Sequence, residues 1–305
     1  MEKNIMTRLH KICKYTLLVI CLMPITVLLA QDRLPASAVI MDQAQPAKRL
    51  PFLGRTRKVP ILPIDLPKPF SDTIPNIIRD NGEPLHALWQ RLSMTRLGIT
   101  LDSMRIVHIG DSHIRGHIFP QTTGGLLTEA FGPIAYKDFG INGATCKSYL
   151  KSGLLNKVAQ IHPDMVIMSF GTNESHDRNY RSNVHEKQMD ELLQAIRARM
   201  PHAPIIMTTP PGSYIRRYSR RRGRYYIVNT RTIKVANAIR DFAKTKHLAL
   251  WDLYALAGNK EACINWNKAA LMRHDHIHYY RDGYKLQGEL FYDAIINTYN
   301  QNMAY

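Results

Sequence analysis

Three side chains of this sequence could together attack a carbonyl carbon: Ser112, Asp275 and His278. Ser112 closes the run Met104-Arg105-Ile106-Val107-His108-Ile109-Gly110-Asp111-Ser112, an apolar stretch that stops abruptly at Gly-Asp-Ser. The pattern predicts a buried parallel strand ending in a tight turn, with the serine hydroxyl lifted clear of the sheet. Gly-Asp-Ser alone also ends many strands of no catalytic use, so the case for a nucleophile rests on residues much further along the chain. Near the C-terminus stands His274-Asp275-His276-Ile277-His278. The spacing of Asp275 and His278 lets one local turn set the carboxylate against the imidazole N–H and fix its tautomer, which is the base-and-orienter half of a nucleophilic triad. Two other readings of the cluster stay open here. His274, His276 and His278 alternating along a strand could ligate a metal, although such a set still wants a fourth ligand, and histidines on a surface often have no role.

These residues need elements that bring them together across more than 160 positions. Apolar runs recur at Ile134–Phe139, Asp164–Phe170, Pro204–Thr209 and His247–Asp252, with helical spacing between them at Met189, Leu192, Leu193, Ile196 and at Val235, Ile239, Phe242. Strands alternating with helices predict an α/β domain whose parallel sheet is covered on both faces. Ligands of such sheets collect beyond the carboxyl ends of the strands, where a following helix (here about Gln121 to Phe131) can aim backbone N–H groups at negative charge. Two of those strand ends carry polar residues. Gly143 lies in Gly140-Ile141-Asn142-Gly143-Ala144, where a glycine lets the backbone approach a ligand, and Asn173 in Gly171-Thr172-Asn173-Glu174 offers an amide donor. Taken singly, both read as turn punctuation. Leu85, Leu88, Trp89 and Leu92 predict an amphipathic helix with Pro84 at its first position, opening a domain over 84–305 that a helix from Gly283 to Asn297 closes. No internal repeat, GxGxxG or P-loop is present, which removes the commonest nucleotide-binding readings of this layout.

The N-terminus has the pattern of an export signal over residues 1–30, either a cleaved peptide or an uncleaved membrane anchor. A basic segment ends at Lys14 and the apolar run Tyr15 to Ala30 follows. From Gln31 to Pro84 come nine of the seventeen prolines, so residues 31–83 are expected to form an extended spacer or a strap lying on the domain. Of the net charge of +17, residues 1–30 carry a surplus of three, leaving +14 on the rest. That excess predicts attraction to polyanions or anionic surfaces, while the export signal argues against nucleic acid as the partner. Outside the export segment only Cys146 and Cys263 remain, one pair that permits a disulfide without requiring it.

The order Ser, Gly, Asn, Asp-x-x-His along one α/β domain resembles the SGNH hydrolases, or GDSL-like esterases. Their four blocks are met by Gly110-Asp111-Ser112, Gly143, Gly171-Thr172-Asn173 and Asp275-x-x-His278, over roughly residues 104–296. The resemblance implies a three-layer α/β/α fold with a five-stranded parallel sheet and a serine esterase that uses no cofactor or metal. It assigns Ser112 as nucleophile, His278 as base and Asp275 as its orienter, with the oxyanion met by the Ser112 N–H, the Gly143 N–H and the Asn173 side chain. His113, Thr209-Pro210-Pro211, Trp251-Asp252-Leu253-Tyr254 and Gly283-Tyr284-x-Leu286-Gln287-Gly288 are similar, more particularly, to bacterial branches that remove O-acetyl groups from cell-wall or other polysaccharides. The chain departs from those branches at Arg115, where glutamine is frequent, and in lacking a carbohydrate-binding module between the first two blocks. An O-acetyltransferase with the same residues, or a non-catalytic exported protein that docks on an anionic polymer, are the alternatives.

One further stretch bears on the substrate. Ser213 to Tyr226 holds Arg216, Arg217, Arg220, Arg221, Arg222 and Arg224 interleaved with Tyr214, Tyr218, Tyr225 and Tyr226. It follows the fourth strand, so it is expected to be a loop overhanging the same face as Ser112. Guanidinium groups beside aromatic rings suit carboxylates and sugar faces. Arg216, Arg217, Tyr218, Arg220, Arg221 and Arg222 are therefore the expected contacts to an acetylated, anionic polysaccharide.

Overall fold

The computed structural model describes residues 56–303 apart from 69, 71–73 and 101; the export segment and the first part of the proline-rich extension lie outside the described residues. In chain order the elements are β1 (Ile78–Arg79), α1 (His86–Arg96), β2 (Met104–Gly110), α2 (Ser112–Arg115), α3 (Ile118–Phe131), β3 (Ile134–Gly140), α4 (Cys146–Lys151) and α5 (Leu154–Ala159). There follow β4 (Met165–Ser169), α6 (Thr172–His176), α7 (Ser182–Arg199), β5 (Ile205–Thr208), β6 (Tyr214–Ser219) and β7 (Gly223–Val228). Then come α8 (Arg231–Thr245), β8 (Ala249–Trp251), α9 (Leu253–Leu256), α10 (Ala262–Lys268) and α11 (Arg281–Met303). The main sheet runs β1-β8-β5-β4-β2-β3. Its last five strands are parallel, as the sequence predicts, and the two-residue β1 adds an antiparallel edge against β8. The first helix starts at His86 rather than at Pro84, with Leu85 as its N-cap.

Alternation along the strands sorts the core into two layers, because successive side chains of a strand point to opposite faces. Met104, Ile106, Met165, Ile167, Ile206 and Trp251 pack with Trp89, Phe119, Phe131 and Phe291 from α1, α3 and α11. Val107, Ile109, Val166, Met168, Ile205 and Leu250 pack with Tyr149, Leu192, Ile196 and Ile239 from α4, α7 and α8. Cys146 belongs to the second layer and Cys263 to the first, so the two thiols are separated by the sheet; both are buried and free.

From Thr56 to Leu62 the proline-rich chain runs against α11 in the opposite direction, from Met303 to Asp293, and it meets the helix again at Asn76 and Ile78. Proline cannot donate to a ladder, and the helix side chains take its place. The Val59 N–H donates to Asn300 Oδ1 at 2.9 Å, Asn300 Nδ2 donates back to the Val59 carbonyl at 2.9 Å, and the Ile78 N–H donates to Thr298 Oγ1 at 2.8 Å. None of the helices among the described residues is long and apolar enough to cross a membrane.

A buried polar chain crosses the sheet beneath the end of β2. Thr208 Oγ1 donates to Ser169 Oγ at 2.8 Å, Ser169 Oγ lies 2.6 Å from His108 Nε2, and His108 Nδ1 lies 2.9 Å from the Tyr136 hydroxyl. The His108 ring is thus held between two hydroxyls, Ser169 on Nε2 and Tyr136 on Nδ1. Burial pushes the His108 pKa down to about 3. An unfolded chain, with histidine near its ordinary value, binds a proton that the native state refuses between about pH 6.5 and pH 3. The contribution is therefore complete above that window and is lost as the pH falls through it. Between pH 6 and pH 5 the stability advantage of the native protein over His108→Gln is expected to shrink by about 1 kcal/mol in urea unfolding; a constant gap would mean the imidazole is not held neutral.

Candidate active site

Ser112 sits at the first position of α2, straight after β2, where a helical N–H has no partner within its own helix. The turn is tight because two atoms crowd Gly110. A β-carbon there would come within 2.4 Å of the Ile114 side chain and 2.6 Å of the Ser169 carbonyl oxygen, so no residue but glycine lets β2 close onto its neighbour and onto α2. Asp111 caps α2 by accepting the His113 N–H at 2.9 Å, and burial pushes its carboxyl pKa up to about 8. Burial thus disfavours negative charge on the acid next to the serine.

Asp275 and His278 lie on the turn between α10 and α11. Its neck is closed by the Met272–Tyr279 bridge and by the Tyr280 N–H donating to the Leu271 carbonyl at 2.8 Å. Within it Asp275 Oδ1 accepts the N–H groups of Ile277 and His278, both at 2.9 Å. Asp275 Oδ2 lies 2.9 Å from His278 Nδ1, and His278 Nε2 lies 2.9 Å from Ser112 Oγ. Partial burial pushes the Asp275 carboxyl up, but the two backbone donors and the imidazole outweigh it and hold the pKa at about 2. His276 takes φ +58° to make this turn, an uncommon conformation that the Tyr214 N–H supports by donating to the His276 carbonyl at 2.9 Å. Behind His278 packs the ring of His113, centroids 5.4 Å apart, itself tied through Nδ1 to the Tyr284 hydroxyl at 3.0 Å. Burial pushes the His113 pKa down to about 3, so the base is backed by a neutral ring.

A cleft of about 860 Å³ joins Ser112 and His278 with Gly143, Asn173, Arg115, Arg273 and Tyr284. Every residue that the sequence offered as nucleophile, base or oxyanion donor lines it, while Asp275 stands behind His278. Gly143 has φ +73° and open space where a side chain would be, so its backbone can turn toward a ligand. Asn173 Nδ2 donates one proton to the Ala144 carbonyl at 2.9 Å, which aims the amide along the Gly143 loop. The arrangement can deprotonate a serine and receive a developing oxyanion at neighbouring donors.

Sequence reasoning missed Glu174. It is 4 % exposed, and its carboxylate accepts the Cys146 N–H at 2.8 Å and the Gly171 N–H at 3.0 Å. It therefore ties the loop carrying Gly143 to the one carrying Asn173. An acidic residue after the asparagine was the available signal, read as loop punctuation because nothing local marks it as buried. Cys146, Glu174 and His185 are also the one group among the described residues whose donor atoms converge enough to hold a metal ion, within 4.8 Å of one another. The carboxylate oxygens of that group already serve the two backbone N–H groups. His274 and His276 do not converge with His278: the former packs on Tyr280, the latter on Tyr214 and Tyr226.

The arginine-rich segment is not an irregular loop but an antiparallel hairpin of β6 and β7, with Arg216 opposite Tyr226 and Tyr218 opposite Arg224. Tyrosine, isoleucine and valine at Tyr214, Ile215, Tyr218, Tyr225, Tyr226, Ile227 and Val228 favour strand, a signal masked by the run of charge, and Gly223 at φ +63° lets the chain leave the turn. Arg216 and Arg217 line a hollow next to the cleft. Arg220, Arg221 and Arg222 form the turn, Tyr218 is 72 % exposed, and none of these four lines the cleft or that hollow.

A parallel sheet with a serine, an imidazole and a carboxylate hydrogen-bonded in series at its carboxyl edge places the protein in the class of α/β acylhydrolases. The GDSL-like lipase/acylhydrolase family matches residues 109–286, more than half of the chain, and the protein belongs to that family, with the SGNH hydrolase fold. A solved peptidoglycan O-acetylesterase superposes with a TM-score of 0.60 at 16% identity, over 71% of this chain and 97% of its own. A lipase/acylhydrolase from Enterococcus faecalis matches with a TM-score of 0.49 at 23% identity, over 64% of this chain and 96% of its own. An acetyl xylan esterase gives 0.49 at 18%, over 63% and 100%. At these identities the likeness is one of fold. No curated protein sequence is significantly similar to the chain.

Glu174→Gln exchanges one buried acceptor for a donor facing a backbone N–H. It is expected to lower the unfolding free energy by about 1–3 kcal/mol, measured in urea, and to slow turnover by loosening Gly143 against Asn173. Wild-type stability in this variant would show that the two loops do not depend on the carboxylate.

Proposed function

We propose that the protein is an exported serine esterase that removes O-acetyl groups from a polysaccharide through an acyl-enzyme on Ser112. The observation that carries this reading is the pair of 2.9 Å contacts in series, from Asp275 to His278 and from His278 to Ser112, at the mouth of a cleft that also holds Gly143 and Asn173. His278 Nε2 takes the proton of Ser112 as Oγ attacks the ester carbonyl, and Asp275, ionised down to about pH 2, stabilises the imidazolium. The carbonyl oxygen becomes an anion between the Ser112 and Gly143 N–H groups and the Asn173 amide. The imidazolium then protonates the departing sugar oxygen. Water, activated by the same imidazole, releases acetate and restores the serine.

Three observations support the narrower parts of the reading. Acetyl as the acyl group, and a sugar polymer as its carrier, are favoured by the fold likeness to a peptidoglycan O-acetylesterase and by the branch-like motifs around His113 and Tyr284. Export is favoured by the basic segment and apolar run before Ala30. A transferase would pass the same acyl group to a sugar hydroxyl instead of to water, so product analysis with and without sugar acceptors separates the two.

Ser112→Ala is expected to keep its circular dichroism spectrum and to lose hydrolysis of 4-nitrophenyl acetate by several powers of ten. Most of the activity surviving in that variant would overturn the assignment of the nucleophile. Asn173→Ala removes one oxyanion donor, and its turnover number on the same ester is expected to fall about 10²- to 10³-fold with KM nearly unchanged. A rise in KM at constant kcat would make Asn173 a ground-state binding residue instead.

A further inference from the structure

The hairpin and the turn after α6 enclose a second hollow beside the catalytic cleft. It measures about 410 Å³ and shares His176 and Ile277 with the cleft as a common wall. Four arginines line it: Arg178, Arg216, Arg217 and Arg231. None of them makes an ion pair among the described residues. Arg231 is held in place by its Nε donating to the Ser175 carbonyl at 2.7 Å, which leaves its two terminal nitrogens for a ligand. The one carboxylate on the wall is Asp275, whose oxygens are already engaged by two backbone N–H groups and by His278. Four like charges around one hollow repel one another, and that cost is offset when an anion sits among them. The hollow also cannot drift away from the serine, because β6 is bonded to the turn that carries Asp275 and His278, through the Tyr214 N–H and the His276 carbonyl.

We propose that this hollow is an anion subsite that takes the carboxylate, or a phosphate of like hydrogen-bonding geometry, borne by a sugar next to the acetylated one. The preferred substrate is then an acidic acetylated glycan, an inference that rests on the esterase reading above. Guanidinium groups donate two parallel hydrogen bonds to either oxyanion. The Tyr214 and Tyr226 rings on the same wall offer faces to the sugar itself. A polymer crossing the wall of His176 and Ile277 presents one unit to the arginines and the next to Ser112. The arginines of the hairpin turn have no part in this contact, which separates the subsite from a diffuse attraction by the whole basic segment.

The test compares an O-acetylated polyuronic acid with the same polymer after reduction of its carboxyl groups, using the full chain. At low salt the wild-type ratio of kcat/KM, charged over neutral, is expected to exceed about tenfold. It should decline toward one as rising ionic strength shortens the screening length. Arg178→Gln/Arg216→Gln/Arg217→Gln alters three exposed side chains and is expected to bring the ratio near one by raising KM on the charged polymer. Arg199→Gln/Lys244→Gln, which removes charge at the opposite end of the sheet, is expected to keep it. An acetylated polymer bearing phosphodiesters in place of carboxylates forms a third arm; whichever charged polymer is preferred identifies the anion. A ratio near one in the wild type, or one equally reduced by the distant pair, overturns the subsite. Binding of the unacetylated polyuronic acid, titrated calorimetrically with the same variants, needs no turnover. If no ester is cleaved, the esterase reading falls alone, and loss of this binding in the triple variant still supports the subsite, whereas its retention overturns it.

Discussion

The parallel register of β2 with its two neighbours is the constraint on which the site depends. β2 pairs with β3 from Met104 opposite Ile134 to Gly110 opposite Gly140, and with β4 up to Gly110 opposite Ser169. All three strands therefore end at one level, and the chain leaving each of them turns across the same edge. Ser112, the Gly143 loop and the Asn173 helix are neighbours because of this shared ending. A slip of one residue along β2 would turn its apolar faces over and bury the wrong side. The polar chain from Thr208 through Ser169 and His108 to Tyr136 guards against such a slip, since it is satisfied in one register alone.

Much of this was legible in the sequence where the signal is local. A strand ending in Gly-Asp-Ser and a carboxylate three residues before an imidazole are short patterns whose geometry follows from the backbone itself. The features that escaped depend on distant partners. His108 reads as one polar letter in an apolar run, and only the positions of Ser169 and Tyr136 make it a structural hub. Glu174 reads as a loop acid until Cys146 and Gly171 are seen to donate to it. The hairpin was hidden because charge dominates the composition of a segment whose tyrosines, isoleucines and valine already favour strand. In the described part of the proline-rich extension, the pairing with Asn300, Thr298 and Asp293 on α11 was not legible.

The electrostatics of the two sides of the Asp275 turn differ. Toward the serine, burial disfavours charge on Asp111 and on His113, and Arg115 and Arg273 stand on the cleft wall. Toward the hairpin, guanidinium groups stand without counter-charges. The carboxylate of Asp275 is the charge hydrogen-bonded to the imidazole, while the adjoining surface is strongly basic.

The strap along α11 has a mechanical consequence. Its first described residue, Thr56, donates its N–H to the Met303 carbonyl at 2.8 Å, at the far end of a helix whose first turn carries Tyr284 of the catalytic cleft. A helix of 23 residues is roughly 34 Å long. A pull applied to the chain ahead of Thr56 therefore enters the body about one domain width from the cleft. Such a load meets the Thr56–Met303 and Val59–Asn300 hydrogen bonds before it reaches any residue of the catalytic edge.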